Sequence, residues 1–405
     1  MGGVWEDFSG TFRVLLVTGQ RQVGKTTFLA EMARGKRRYL SLDNIKLRTL
    51  AQNDPELFLQ QYPPPVLIDE IQYAPELFPY IKIYVDTHRN HKGAFWLTGS
   101  QKYSLMKGVQ ESLAGRILIL DLLGLSYREK AKIPYSGKPF MPEAGIQKGG
   151  RRRQDPQKAL TLNEVYRLIW EGSLPEPVVH KKINREAFYG SYVQSYIERD
   201  VRDFYNIEKP IQFYNFLAAA AARTGNLINY NKLADDTGID LKTAQAWMGI
   251  LERTGLVYLL RPYSPNVTGR IIKTPKLYFL DTGLGAYLTR WDSPESLSAG
   301  AMDGAILETY CLGEILKSYW HNGKTPLVYF YRDTDQKEID FVIEQNMTLY
   351  PVEVKKTAMP GEADARHFRA LAKLGKKTGP GAVLCLIQER FPINRETTAI
   401  PVWEI

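Results

Sequence analysis

The chain has 405 residues, which at about 150 residues per domain predicts two to three domains. Hydrophobic residues make up 44% and charged residues 24%, so an intrinsically disordered chain is excluded. Lys and Arg number 53 against 44 Asp and Glu, and the resulting charge of +9 favours a polyanionic partner such as DNA. Two cysteines are too few for a disulfide framework. Because the sequence lacks a membrane-length apolar run and a signal peptide, we expect a cytoplasmic protein with no membrane partner.

The first block, residues 13–123, alternates strand-like and helix-like segments. An apolar run at 13–18 meets a Gly-rich turn that leads into a helix, and further apolar runs at 66–68 and 94–97 are typical of buried parallel strands. A basic stretch rich in Pro and Gly follows at 130–158. We interpret that stretch as an exposed insertion.

The turn after the first strand matches the pattern G-x-x-x-x-G-K-[ST] at every fixed place. Its glycines let the backbone curl so that N–H groups face phosphate oxygens, and the following helix adds its positive dipole end. We expect Lys25 to contact the β- and γ-phosphates of ATP and Thr26 to bind Mg²⁺ through its hydroxyl. The predicted nucleotide-binding residues are Gly19, Gln20, Arg21, Gln22, Val23, Gly24, Lys25, Thr26, Thr27 and, further along the chain, Ser100.

Carboxylates follow the second apolar run of this block. Asp69 is predicted to hold Mg²⁺, and Glu70 to polarise the water that attacks the γ-phosphate. The third run ends in Thr98, Gly99 and Ser100, which either sense the γ-phosphate or form a simple turn. A strand that ends in two carboxylates supports the phosphate-loop prediction because ATP hydrolysis requires both functions.

The middle of the chain is predicted to be helical from 160 to 208 and then to form a winged helix at 228–260. Lys242, Thr243 and Gln245 lie near the start of its second helix, where a DNA-reading helix places its base contacts. Such a module can instead pack against a nucleotide-binding domain and touch no DNA. Both alternatives stay open on the sequence.

The last block combines a helix at 305–319 with strands at 328–332, 339–344 and 350–354. Glu353 and Lys355 are two positions apart on a strand and therefore share a face, beside Asp340 on the neighbouring strand. Asp340 and Glu353 are predicted Mg²⁺ ligands, and Lys355 would help to orient water against a phosphodiester. The alternative is a solvated ion network in which Glu353 and Lys355 pair with each other and with Arg332.

These motifs resemble two known families. The phosphate loop, LIDEIQ at 67–72, LTGSQ at 97–101 and ESLAGR at 111–116 resemble prokaryotic AAA+-type ATPases that carry a C-terminal domain named DUF4143. The last block is similar to the PD-(D/E)xK nuclease core, and this resemblance adds Glu308 to the catalytic candidates Asp340, Glu353 and Lys355.

The ATPase resemblance also implies an arginine that reaches a γ-phosphate, within the chain or from a neighbouring subunit of a homo-oligomer. Arg116 is the first candidate and Arg199 the second; an exposed ion pair is the alternative for each.

The expected fold class is α/β: a P-loop NTPase parallel sheet, a helical and winged-helix middle, and a restriction-endonuclease-like C-terminal domain. The expected boundaries are an ATPase core at 1–125, a basic insertion and helical linker at 126–209, a winged helix at 210–290 and the nuclease-like domain at 291–405. The expected function is ATP hydrolysis on or with DNA, with a nuclease-like end that could be active. The alternative is an ATP-gated regulatory switch whose C-terminal domain only binds a partner.

Overall fold

The computed structural model describes residues 1–99, 109, 111–134, 137–143, 159–196, 209–266 and 274–405. The described residues form three sheets of five, three and seven strands, taken in chain order. Within these residues, no helix has the length and apolar character needed to cross a membrane.

The N-terminal sheet is parallel, in the order β2-β3-β4-β1-β5. Three of its strands are buried at every position, because their apolar side chains pack against helices on both faces of the sheet. The strands are β1 Val14–Thr18, β2 Arg38–Ser41, β3 Val66–Asp69, β4 Phe95–Thr98 and β5 Ile117–Asp121. Its helices are Gly2–Ser9, Lys25–Ala33, Ile45–Asn53, Pro55–Gln61, Leu77–Thr87 and the short Tyr127–Lys130, with a 3-10 helix at Ile71–Tyr73. The predicted parallel sheet is confirmed.

The middle of the chain is helical and contains a small antiparallel sheet in the order β6-β8-β7. Gly238 has a φ of 65° and ends one helix, and the Asp240 carboxylate caps the next by accepting from Thr243 N at 3.0 Å. The strands are β6 Asn226–Leu227, β7 Val257–Leu260 and β8 Lys276–Phe279. The helices are Leu162–Glu171, Pro175–Val179, Arg185–Ser195, Pro210–Ala221, Tyr230–Thr237, Leu241–Arg253 and Thr282–Leu288.

The C-terminal sheet is mixed, with the order β14-β15-β13-β11-β10-β9 and β12 paired to β11. Its helices are Pro294–Ala299 and Asp303–Trp320, with 3-10 helices at Glu362–Leu374 and Val402–Glu404. The strands are β9 Val328–Arg332, β10 Glu338–Gln345, β11 Thr348–Val354, β12 Lys377–Thr378, β13 Gly381–Cys385, β14 Phe391–Pro392 and β15 Thr397–Pro401. The three strands predicted before residue 355 are present.

The units share their hydrophobic cores. One core joins Val17 and Leu29 of the first unit to Leu251 and Leu256 of the middle. A second core joins the middle to the C-terminal sheet, for example Tyr278 to Phe341. The basic insertion predicted at 130–158 lies partly outside the described residues.

Candidate active site

The phosphate loop connects β1 to the helix Lys25–Ala33, as the sequence predicted. Gly19 has a φ of 142°, and a Cβ at that position would lie 2.2 Å from the Leu122 carbonyl oxygen, so only glycine fits there. Gly24 has a φ of 90° and precedes the helix without a side-chain cap. The N–H groups in the first turn of a helix suit an anionic group such as phosphate.

Lys25 folds back into this loop. Its side-chain Nζ donates to the carbonyl oxygens of Gly19 at 3.0 Å and Gln20 at 2.8 Å, and the residue is only 7% exposed. The ammonium group is thus held beside the loop N–H groups in a region that water reaches poorly. Where water is largely excluded, the attraction between this ammonium group and the phosphate oxygens of a nucleotide is stronger than in bulk water.

Asp69 is fixed by three hydroxyl groups at the end of β3. Thr26 Oγ1 donates to its two oxygens at 3.0 and 3.2 Å, Tyr39 OH donates at 2.8 Å, and Thr98 Oγ1 also donates. Thr26 and Asp69, the two predicted Mg²⁺ ligands of this site, are therefore in direct contact. Their hydroxyl and carboxylate oxygens are donors that fit Mg²⁺. The sequence did not indicate Tyr39, because its contact depends on the pairing of β2 with β3.

Glu70 follows Asp69 in a left-handed backbone conformation with a φ of 56°. Its N–H donates to Thr98 Oγ1 at 3.1 Å, and its carboxylate accepts from Gln72 Nε2. Thr98 thus holds both acidic residues in place, a role more specific than the turn or phosphate sensor that the sequence suggested. Ser100, the predicted nucleotide contact after Thr98, lies outside the described residues.

Arg116 lies at the edge of the sheet opposite to the phosphate loop. β5 is parallel to β1 and pairs Ile117 with Val14, whereas the loop follows Thr18 at the other end of β1. Val14 and Thr18 are four residue steps apart on β1, which corresponds to about 13 Å along the strand. Arg116 Nε and Nη2 donate to the Asp86 carboxylate at 2.6 and 3.0 Å. In this arrangement Arg116 does not reach a phosphate in its own loop. Arg199 lies outside the described residues.

The middle unit contacts the phosphate loop directly. A Cβ on Gly24 would lie 3.7 Å from Pro175 Cγ, and a Cβ on Gly255 would lie 3.5 Å from Gln20 N. Pro175 belongs to the segment GSLPEP at 172–177, and Gly255 follows the helix Leu241–Arg253. The sequence could not place these neighbours, which cover the loop from the middle unit.

The second predicted cluster also assembles. Val354 N donates to Asp340 Oδ2 at 2.9 Å, Asp340 N lies 3.5 Å from Glu353 Oε2, and Lys355 Nζ donates to Glu353 Oε1 at 2.7 Å. Burial, together with the charge of Asp340, raises the pKa of Glu353 to about 8 and that of Glu308 to about 7. Arg332 pairs with Glu338, with 3.6 Å between Nη1 and Oε2, so the expected Arg332 contact goes to a different carboxylate.

A lysine that the sequence did not indicate enters this cluster. Lys276 Nζ of β8 lies 3.1 Å from Glu308 Oε1 and 2.6 Å from Glu338 Oε1, and the residue is 4% exposed. Burial works against its charge, but the carboxylates of Glu308, Asp340 and Glu338 outweigh burial and raise the pKa of Lys276. No three acidic, imidazole or thiol side chains in the described part of the chain are placed to hold a metal ion together. That Asp340 and Glu353 bind Mg²⁺ therefore stays a prediction.

The loop between β1 and its helix, with Thr26 against Asp69, defines a P-loop NTPase. The protein carries an AAA domain, whose model matches residues 11–131, and a C-terminal domain of unknown function, DUF4143, whose model matches residues 303–405. A second domain of unknown function, DUF8612, matches residues 162–295. The predicted resemblance, an AAA-type P-loop domain followed by a C-terminal DUF4143 domain, is thus confirmed.

Similar proteins occur in bacteria and archaea. An uncharacterised protein of Mycobacterium tuberculosis is 26% identical over 97% of this chain and 80% of its own length. An uncharacterised protein of Methanocaldococcus jannaschii is 24% identical over 82% of this chain and 72% of its own. Among solved structures, a Walker-type ATPase of Pyrococcus abyssi is 13% identical, covers 71% of this chain and 94% of its own, and has a TM-score of 0.45. The RuvB Holliday junction branch migration motor of Thermotoga maritima is 15% identical, covers 64% and 88%, and has a TM-score of 0.29.

Proposed function

We propose that the chain hydrolyses ATP at the phosphate loop. The observation that carries this proposal is the contact of Thr26 with Asp69 beside the loop that encloses Lys25. When bound, Mg²⁺ would neutralise phosphate charge, and Thr26 and Asp69 would hold it. Lys25 would bind the β- and γ-phosphates through its ammonium group.

Glu70 would accept the proton of the attacking water in this mechanism. Its backbone N–H is bonded to Thr98, so the position of the carboxylate is tied to the end of β4. The Gln72 amide donates to Oε2 of the carboxylate and so orients it. Pro175 and Gly255 cover the loop and help to exclude bulk water, which strengthens electrostatic interactions with the phosphates.

Lys25→Ala tests this site. Loss of the ammonium group should weaken binding of ATP and abolish its turnover, measured with a fluorescent ATP analogue and by phosphate release. Lys46→Ala, which removes an exposed lysine of the same unit, is the matched control and should change neither. ATP turnover that survives in Lys25→Ala would exclude this loop as the hydrolytic site.

We further propose that the protein acts on or with DNA through the winged helix of its middle unit. The helix Leu241–Arg253 exposes Lys242 and Gln245 on the face opposite to its buried Trp247. The net charge of +9 adds a general attraction for phosphates. Exposed Asp235 and Asp236 on the preceding helix oppose that attraction, so the proposal favours backbone contacts over base reading.

DNA binding is measured by fluorescence anisotropy at several salt concentrations, beside ATPase assays with and without single- and double-stranded DNA. The proposal predicts salt-dependent binding, faster ATP turnover with DNA, and weaker binding in Lys242→Ala than in the control Lys46→Ala. ATP turnover that is indifferent to DNA, without measurable binding, would favour the regulatory switch.

The alternative is an ATP-gated switch whose C-terminal domain binds a partner and cuts nothing. The buried Lys276 in the carboxylate cluster favours an inactive C-terminal domain, because its ammonium group already neutralises Glu308 and Glu338. An active nuclease would instead cut supercoiled plasmid in the presence of Mg²⁺ and lose that activity in Lys355→Ala. Plasmid cleavage therefore distinguishes an active C-terminal nuclease from a C-terminal domain that only binds a partner.

A further inference from the structure

Lys276 brings a buried positive charge from the middle unit into the C-terminal domain. It is the first residue of β8, and Tyr278, two positions further, points to the same side of the strand. Both side chains contact one oxygen of Glu308, since Lys276 Nζ lies 3.1 Å from Glu308 Oε1 and Tyr278 OH donates to the same atom. Lys276 Nζ also lies 2.6 Å from Glu338 Oε1. One face of β8 is therefore built against the carboxylate cluster.

The backbone around β8 is anchored to the C-terminal domain at independent points. Tyr263 N donates to the Phe330 carbonyl oxygen at 2.6 Å, and Pro262 forms a parallel bridge with Phe330 of β9. The Thr224 and Thr309 hydroxyls are 2.8 Å apart, and Thr224 also accepts from the backbone N–H of β8 at Phe279. The backbone that carries Lys276 is thus held in place by the docking of the two units.

A divalent cation would compete with Lys276 for the same oxygens. Mg²⁺ and Mn²⁺ bind carboxylate oxygens, and Lys276 pairs with one oxygen each of Glu308 and Glu338 while Lys355 pairs with one oxygen of Glu353. A second cation placed among these groups would be repelled by a buried ammonium group at short range. A metal can enter only if the ammonium group leaves, and a shift of β8 would carry the ammonium group away from the carboxylates.

We propose that β8, through Lys276, is an autoinhibitory plug of the C-terminal carboxylate cluster. While the middle unit is docked, the cluster is charge-balanced and takes no divalent cation; movement of β8 exposes Glu308, Glu338 and Asp340 to one. The middle unit also contacts the phosphate loop at Gly255, so it touches both sites. The plug does not depend on ATP hydrolysis, and metal binding without nucleotide tests it separately from the ATPase proposal.

Calorimetric titration of Mn²⁺ into the full chain without nucleotide tests the plug. In the wild-type background, Asp340→Asn should leave Mn²⁺ binding unchanged. Lys276→Met should gain a Mn²⁺ site, and adding Asp340→Asn to that variant should remove the site. Lys182→Met, which removes an exposed lysine of the same unit, is the control and should bind Mn²⁺ as the wild type does. If the wild type, with Lys276 in place, already binds Mn²⁺ at a site that Asp340→Asn abolishes, the proposed plug is wrong.

Lys276→Met removes a lysine partner from the half-buried carboxylates of Glu308 and Glu338, which keep only Tyr278 and Arg332 among the described residues, so the variant could fail to fold. The double variant Lys276→Met with Glu308→Gln removes a charge of each sign and should regain the wild-type melting temperature. It should still bind Mn²⁺ through Asp340 and Glu338. A folded Lys276→Met or double variant that binds no Mn²⁺ would contradict the inference.

Discussion

Asp281 is a buried carboxylate that ties the GSLPEP segment at 172–177 to the start of the helix Thr282–Leu288, both in the middle unit. It is 1% exposed, and Oδ2 accepts from Ser173 N at 2.6 Å, Ser173 Oγ at 2.9 Å and Leu174 N at 3.2 Å. Oδ1 accepts from Leu284 N at 2.6 Å and Tyr189 OH at 2.9 Å. We expect Asp281→Asn to destabilise the protein strongly, although the two side chains have nearly the same shape.

The size of the effect follows from these contacts. An asparagine oxygen in the place of Oδ2 keeps Ser173 and Leu174 as partners but loses the charge that strengthens them. Its amide nitrogen faces Leu284 N–H, which is left without an acceptor, while Tyr189 OH can still donate to the Glu171 carbonyl oxygen at 3.1 Å. One stranded buried donor and three weakened bonds predict a loss of about 2–4 kcal/mol.

Urea unfolding, followed by circular dichroism, measures this loss. Asp240→Asn is the matched control, because Asp240 is an exposed helix cap and asparagine caps a helix as well as aspartate does. The control should change the free energy of unfolding by less than about 0.5 kcal/mol. An Asp281→Asn protein as stable as the wild type would refute the reasoning, since Leu284 N–H would then not need its acceptor.

Three further predictions concern the two carboxylate sites. In the folded chain the pKa of Glu308 is raised to about 7 and that of Glu353 to about 8. The folded chain therefore keeps protons on these groups that the unfolded chain releases near pH 4.5. The stability that these groups contribute is lost as pH rises from about 5 to 8. The melting temperature should fall over that range, and less steeply in Glu353→Gln. If Arg116 acts in trans, Arg116→Ala mixed with Glu70→Gln should regain ATPase activity that neither has alone; mixed oligomers without activity would contradict a trans role. Thr98→Val should raise the Mg²⁺ concentration at which nucleotide binding reaches half of its maximum, because valine cannot donate a hydrogen bond to Asp69. An unchanged Mg²⁺ requirement would contradict that role of Thr98.

The nucleotide site was predictable because its information is local. Residues 19–26 carry the whole phosphate loop, and the apolar run before Asp69 shows that the carboxylates end a buried strand. Asp340, Glu353 and Lys355 were also predictable as neighbours, since an antiparallel pair of strands brings them together.

What the sequence could not predict depends on pairing between distant segments. Tyr39 reaches Asp69 only because β2 lies beside β3, and the location of Arg116 depends on the direction of β5 in the sheet. Lys276 enters the C-terminal cluster because two separately predicted units dock through β8. No pattern within either segment indicates such a contact, and the sequence therefore did not show that Lys276 pairs with Glu308 and Glu338 beside the predicted metal ligands.

Single-turnover hydrolysis of ATP by Glu70→Gln is the most direct test of the proposed mechanism. The substitution keeps the size of the side chain and the phosphate loop, so ATP should bind as it does to the wild type while hydrolysis slows by at least about 100-fold, the usual loss of a general base. Glu76→Gln, at an exposed position close by, should hydrolyse ATP at the wild-type rate. An unchanged rate in Glu70→Gln would contradict the role of Glu70, and loss of ATP binding would show that Glu70 shapes the site instead of activating water.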